Sequence, residues 1–180
     1  TRPNSSMITL IDTARAMVRE ALPIKCMEAV VLSIHLTNGV SALGRFPINF
    51  KSELPPRQGG GGAGNGVNPQ QRYFYHIVLG VAYQGKFGSL GLSRRSTLMD
   101  KPITYHHLHE LIEDFDESYR HCGQRLVKVR VGGLISHDPH SISTIPWRGI
   151  TIHPRAEDPI DVRSKIDKYS RELKSQLRSK

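Results

Sequence analysis

Hydrophobic periodicity predicts four helices in this chain. Apolar residues recur at three- and four-residue spacings in residues 6–22, 105–122 and 159–180, which is typical of amphipathic helices packed on a core. In residues 23–38 apolar side chains occur on all sides, so we expect that helix to be buried over most of its surface. Proline suits the first helical position, so Pro23 is predicted to open this second helix.

Alternating apolar and polar residues predict strands over 45–51, 125–131 and 148–154. Pro47 has no backbone N–H and favours an edge position for the first of these strands. Residues 52–71 are rich in glycine and proline, a composition typical of a flexible linker or insertion. With 180 residues the whole chain, 1–180, is predicted to form a single domain.

A hairpin is predicted within residues 72–95, with its turn at Gln84–Gly85. The register of that hairpin places His76 opposite Ser93, on one face, with Cβ atoms roughly 5 Å apart. A bulge at one of the strand glycines would shift this register. An imidazole inside an apolar strand needs a hydrogen-bond partner, and Ser93 could supply it and fix the tautomer of the ring.

Composition narrows the classes of protein to consider. The chain is 38% hydrophobic and 23% charged, as is ordinary for a soluble globular protein, and no run of about 18 apolar residues predicts a membrane span. Its two cysteines are too few for a disulfide framework or a four-cysteine zinc site, which favours a reducing compartment. The net charge of +9 favours an acidic partner: a nucleic acid, an anionic membrane or an acidic protein segment.

Cys26 is the first candidate for chemistry. It falls in the first turn of the predicted second helix, where unpaired N–H groups and the helix dipole favour a thiolate, and Lys25 adds positive charge beside it. His76 is the candidate base, since a nucleophilic thiol needs a proton acceptor within reach. Inert packing of a small buried cysteine is the alternative.

Other polar clusters have two interpretations each. Arg94 and Arg95, which follow Ser93, could hold a carboxylate, or they could be two ordinary surface arginines. Lys128 and Arg130 share one face of their strand and could form an anion track or simply face solvent. His106 and His109 are one helical turn apart and could share a metal ion, or they could be part of a solvated helix start.

Several separate motifs resemble those of the vasohibin family, in the same order along the chain. They are ALPIKCMEAV, LTN, RFPINFK, HIVLGV, GSLGLSRR and SHDPHS, and the similarity extends from about residue 2 to residue 147. The resemblance implies an α+β, transglutaminase-like cysteine protease fold. In that fold N-terminal helices, with the catalytic cysteine at a helix start, pack on an antiparallel sheet.

The same resemblance implies a function. Family members are tyrosine carboxypeptidases that remove the C-terminal tyrosine of α-tubulin, in the cytoplasm and on the cytoskeleton. The catalytic residues correspond to Cys26, His76 and Ser93. Residues that bind the substrate carboxylate correspond to Lys25 and Arg94, and Arg130 takes the place of a basic groove residue. No metal and no cofactor is implied, and acidic tubulin tails would account for the positive charge without nucleic acid.

The resemblance also implies features outside this sequence. An upstream family segment, with a tyrosine that contributes to the substrate pocket, would precede Thr1, and it helps dock a small helical vasohibin-binding protein. Two other functions stay open from the residues alone. One is a non-catalytic basic module that binds microtubules or another polyanion, and the other is an amide-forming acyl transferase.

Overall fold

The computed structural model describes residues 5–21, 24–55 and 73–178. Within these ranges the chain forms four α-helices and six strands. The helices are α1 (Met7–Glu20), α2 (Cys26–Leu36), α3 (Leu108–His121) and α4 (Pro159–Arg178). The strands are β1 (Gly44–Glu53), β2 (Tyr73–Tyr83), β3 (Lys86–Leu90), β4 (Lys101–Tyr105), β5 (Arg125–Val131) and β6 (Ile150–Ile152).

The strands form one antiparallel sheet in the order β4-β3-β2-β1-β5-β6. This is the α+β class expected from the sequence. The edge position expected for β1 from Pro47 is wrong, because β1 lies between β2 and β5. The proline is accommodated because the β1–β5 register begins only at Ile48, and the Pro47 carbonyl accepts a hydrogen bond of 2.8 Å from the N–H of Gly132.

The hairpin forms as predicted, but it is shorter than expected. Gln84 and Gly85 both have positive φ, 48° and 79°, as a tight two-residue turn requires. The register holds from the turn out to the pair Leu79–Leu90, where β3 ends. The chain then bends towards a 3₁₀ turn at Ser96–Leu98, so the expected facing pair of His76 and Ser93 does not form.

Each face of the sheet is covered by a pair of helices. On one face α1 and α2 pack on Ile77, Leu79 and Val81 of β2. On the other face α3 and α4 pack on residues that include Phe46, Ile48 and Phe50 of β1. The apolar stripe predicted for α3 is buried, as expected, at Leu108, Leu111, Ile112, Phe115 and Tyr119.

Two boundaries and one strand differ from the sequence expectations. Helix α2 begins at Cys26, after its N-cap residue Lys25, three residues later than expected. Residues 52 and 53 end β1 rather than starting the linker, and residues 56–72, which hold most of that linker, lie outside the described residues, as do Leu22 and Pro23. Strand β4, at the sheet edge, was not predicted. Within the described ranges, no helix has both the length and the apolar character that crossing a bilayer requires.

A buried arginine fixes the position of α2. The Arg45 side chain is fully buried and donates hydrogen bonds to the carbonyls of Ile34 at 2.7 Å and Ser136 at 2.5 Å, and to Asn38 Oδ1 at 3.2 Å. Burial lowers the pKa of Arg45 to about 10, so the guanidinium remains charged at neutral pH. It therefore joins the C-terminal end of α2 to the loop that follows β5.

Replacing Arg45 with alanine is expected to lower the free energy of unfolding by about 3 kcal/mol, because two buried carbonyls lose a charged donor. Urea unfolding followed by circular dichroism would measure the loss. Arg95→Ala, at an exposed arginine, is the control and should change stability by less than about 0.5 kcal/mol. Equal stabilities of the two variants would contradict this role for Arg45.

Candidate active site

One pocket of about 410 Å³ contains both residues that the sequence singled out for covalent chemistry, Cys26 and His76. Its lining comes from the start of α2 and from β1, β2 and β5. The residues are Cys26, Met27, Asn49, Phe50, Lys51, Tyr75, His76, Ile77, Lys128 and Arg130. Residues fifty positions apart in sequence therefore meet at one cavity large enough for an amino-acid side chain.

Cys26 is the first residue of α2, and its thiol is half-buried. Lys25 precedes it with extended backbone, φ −110° and ψ −174°, and its N–H donates to Glu28 Oε2 at 3.1 Å. This bond anchors the helix start through the backbone and leaves the Lys25 side chain exposed. The thiol thus lies at the positive end of the helix dipole, where a thiolate is favoured.

His76 is held by two contacts. Its Nε2 lies 2.8 Å from the carbonyl oxygen of Leu98, and its ring stacks on Phe50 at 6.3 Å between centroids with planes 19° apart. A carbonyl only accepts, so Nε2 carries the proton and Nδ1 has the free lone pair. Burial lowers the pKa of His76, opposed in part by the Leu98 carbonyl, and so favours the neutral ring that a general base needs.

Ser93 takes part in a different contact from the one expected. Its Oγ accepts a hydrogen bond of 3.2 Å from the N–H of Arg95, and Leu98 occupies the position beside His76. The orienting role of Ser93 stays a prediction. Sequence reasoning missed the Leu98 carbonyl because every residue has a carbonyl and no side-chain pattern marks the one that is used.

A buried hydroxyl lies on α3, on a ring that packs against the pocket residue Phe50. Tyr119 of α3 is 2% exposed, its ring packs on Phe50 at 5.8 Å, and its Oη has no hydrogen-bond partner within the described ranges. Burial raises the pKa of Tyr119, and negative charge at Cys26 and Cys122 would add to the effect. The phenol therefore stays protonated and is available as a donor.

The charged residues that line the pocket are all cationic: Lys51, Lys128 and Arg130. Lys51 lies opposite Lys128 across the β1–β5 ladder, and its Nζ lies 3.5 Å from the centroid of the Tyr73 ring. Of the three predicted substrate-binding residues, Arg130 lines the pocket. Lys25 and Arg94 are exposed and are not among its lining residues.

Comparison with known proteins decides the family. The vasohibin family model matches residues 1–174. The chain belongs to the vasohibin family. A curated relative, mouse tubulinyl-Tyr carboxypeptidase 1, is 40% identical over 168 residues, which are 93% of this chain and 41% of the mouse protein. This vasohibin-family chain thus spans about two-fifths of the length of the relative it matches.

Membership of the vasohibin family agrees with the fold. Two helices precede the antiparallel sheet, the candidate nucleophile opens the second helix, and the candidate base lies on an inner strand. This is the transglutaminase-like arrangement expected from the resemblance. In this vasohibin-family chain the thiol of Cys26 and the imidazole of His76 line one pocket.

Proposed function

We propose that this chain is the catalytic part of a cysteine carboxypeptidase that removes the C-terminal tyrosine of α-tubulin. The observation that carries the proposal is the shared cationic pocket, which holds a thiol at a helix start and a histidine whose tautomer a carbonyl fixes. The relative's name, tubulinyl-Tyr carboxypeptidase 1, supports the choice of substrate.

The reaction proceeds in two steps. His76 Nδ1 takes the thiol proton, and Cys26 Sγ attacks the carbonyl carbon of the last peptide bond. The protonated His76 gives its proton to the leaving amine of tyrosine as the C–N bond breaks, which leaves a thioester on Cys26. Water, deprotonated by His76, then cleaves the thioester and restores the thiol.

Two donors stabilise the oxyanion that forms on the attacked carbonyl. One is the backbone N–H of Cys26, because the first N–H groups of a helix have no partner within that helix. We assign the other to the hydroxyl of Tyr119, which is buried, protonated and without a partner among the described residues. In this scheme the Leu98 carbonyl orients His76, and Ser93 remains a second candidate for that role.

Tyr119→Phe is expected to lower kcat by about 10²-fold, the effect of losing one oxyanion donor, with KM almost unchanged. The phenyl ring keeps the packing on Phe50, so the melting temperature should stay close to that of the parent chain. Steady-state kinetics on a tail peptide would measure both constants. An unchanged kcat would remove Tyr119 from the scheme.

Substrate recognition requires positive charge. The C-terminal tails of tubulin are acidic and end in a carboxylate. This chain offers Lys51, Lys128 and Arg130 in the pocket, and its Lys25 and Arg94 are exposed. The net charge of +9 would steer such tails towards the protein. We therefore propose a cytoplasmic, cytoskeleton-associated enzyme that needs no cofactor.

We also propose the family's small helical binding protein as a partner. Val18 on α1 and Leu36 at the end of α2 are 59% and 68% exposed, and a helix could cover such apolar side chains. Titration of the chain with that partner, followed by sedimentation, would measure the association. Val18→Glu should weaken it, and Ile142→Glu, at an exposed apolar residue outside both helices, is the matched control.

Arg94→Glu is expected to reduce tyrosine release by at least tenfold, because it replaces a cation expected to bind the terminal carboxylate with a repulsive charge. Arg95→Glu, at the neighbouring exposed arginine, controls for the change in net charge. Mass spectrometry of a synthetic α-tubulin tail, with a free or an amidated C-terminus, would give both rates. Amidation should reduce cleavage sharply. If Arg94→Glu leaves the rate unchanged, carboxylate recognition lies elsewhere, and an unchanged rate on the amidated peptide would mean that the carboxylate is not recognised.

A non-catalytic basic module is the second candidate function, favoured by the same net charge. It predicts co-sedimentation with microtubules, which falls as salt rises, without any release of tyrosine. An amide-forming acyl transferase would instead add mass to the peptide in the presence of an amine. The peptide assay separates all three outcomes.

A further inference from the structure

Two histidines and an aspartate meet where α3 begins beside α4. His109 Nδ1 lies 2.6 Å from Asp167 Oδ1, and the ring of His107 stacks on that of His109, with centroids 5.1 Å apart and planes 15° apart. One ligand atom from each of the three residues lies within 4.8 Å of the other two. The sequence expectation paired His109 with His106 instead, and the structure brings His107 and Asp167 to it.

The three side chains differ in how firmly packing holds them, and one of them is free enough to move towards a metal ion. His109 is 3% exposed, so packing fixes its ring, and Asp167 is held against it. His107 is exposed and can rotate. Ligands about 2.1 Å from a tetrahedral zinc ion lie roughly 3.4 Å apart. His109 Nδ1 and Asp167 Oδ1 are 2.6 Å apart, so the Asp167 carboxylate would move back from the ring and His107 would turn towards it to complete the geometry.

The chemistry of the donors favours a transition-metal dication. Imidazole nitrogens select zinc, copper or nickel over magnesium and calcium, and a set of two histidines and one carboxylate recurs in zinc sites. The carboxylate of Glu110, also near both imidazoles, adds negative charge to the surroundings. On binding, the metal would take the position of the proton shared by His109 and Asp167, with the neutral ring keeping its other proton.

We propose that His107, His109 and Asp167 form a zinc-binding site that ties α4 to the start of α3. The ligands come from helices about sixty residues apart in sequence, so the bound metal would cross-link the C-terminal helix to the layer that supports Phe50 and Tyr119. The site stabilises the fold and takes no part in peptide cleavage.

Calorimetric titration of the metal-free Cys26→Ala chain with Zn²⁺ tests the proposal, since this background removes the reactive thiol. One equivalent is expected to bind, with at least tenfold weaker affinity after His107→Ala or Asp167→Asn. His106→Ala, at the neighbouring exposed histidine, is the matched control and should bind as the parent does. Co²⁺ in place of Zn²⁺ should show no sulfur-to-metal charge-transfer band.

Melting temperatures measured with and without Zn²⁺ distinguish the loss of a metal-binding side chain from damage to the fold. Saturating Zn²⁺ should raise the melting temperature of the parent and of His106→Ala, and should leave that of His107→Ala unchanged. Because His107 begins α3 and stacks on His109, its replacement also changes the melting temperature without metal, so the readout is the rise that Zn²⁺ produces in each variant. The proposal is overturned if His107→Ala and Asp167→Asn bind Zn²⁺ like the parent, or if His106→Ala weakens binding equally.

Discussion

Cys26→Ala is expected to abolish release of tyrosine from an α-tubulin tail peptide, with a loss on the order of 10⁶-fold, which places the variant at assay background. Alanine cannot form the thioester, and the first helical N–H groups alone offer no path for covalent cleavage. Mass spectrometry of the peptide, which loses the mass of one tyrosine per turnover, would measure the rate.

Cys122→Ala is the matched control, since both thiols are half-buried and only Cys26 lines the pocket. Cys122→Ala should keep the parent rate within about twofold, because a small substitution outside the pocket changes the stability of the fold more than the catalytic step. Residual release by Cys26→Ala at more than about a hundredth of the parent rate would mean that another group performs the cleavage.

His76→Ala is expected to lower kcat/KM by about 10³-fold, within the range for loss of a general acid–base group. The effect should exceed that of His140→Ala, at an exposed histidine outside the pocket, by at least a hundredfold. Because burial lowers the pKa of His76, the parent rate should fall only at a pH below the ordinary histidine value of about 6.5.

A pH–rate profile of kcat/KM would complete this test. The acid limb, assigned to protonation of His76, should be missing from the residual activity of His76→Ala. A variant that keeps both the parent rate and the acid limb would show that His76 is not the base.

Periodicity alone predicted the helices. Three are amphipathic and one is apolar on all sides, and both patterns extend over enough residues to be recognised. The register of the β2–β3 hairpin followed from Gln84–Gly85, since a two-residue turn fixes which residues face each other. The extent of that pairing did not follow, because the end of β3 at Leu90 depends on the chain leaving the sheet for the turn at Ser96–Leu98.

The site was only partly predictable for a physical reason. Cys26 and His76 were found because a thiol at a helix start and an imidazole in an apolar strand are both unusual. The Leu98 carbonyl and the Tyr119 hydroxyl were missed because the roles proposed for them depend on tertiary packing. One is a backbone atom, and the other belongs to an ordinary core aromatic on α3. From the sequence, Lys51 is an ordinary polar residue of a strand. Its place in a cationic pocket follows only from the β1–β5 pairing, which brings Lys128 opposite it.

The central claim is that Cys26 and His76 act as one nucleophilic unit. The most direct test is the rate at which iodoacetamide alkylates each cysteine between pH 6 and 8, read by peptide mass spectrometry. The account predicts that Cys26 reacts faster than Cys122 near pH 7 and that His76→Ala removes this preference while His140→Ala does not. Alkylation of Cys26 at the same rate with and without His76 would contradict it.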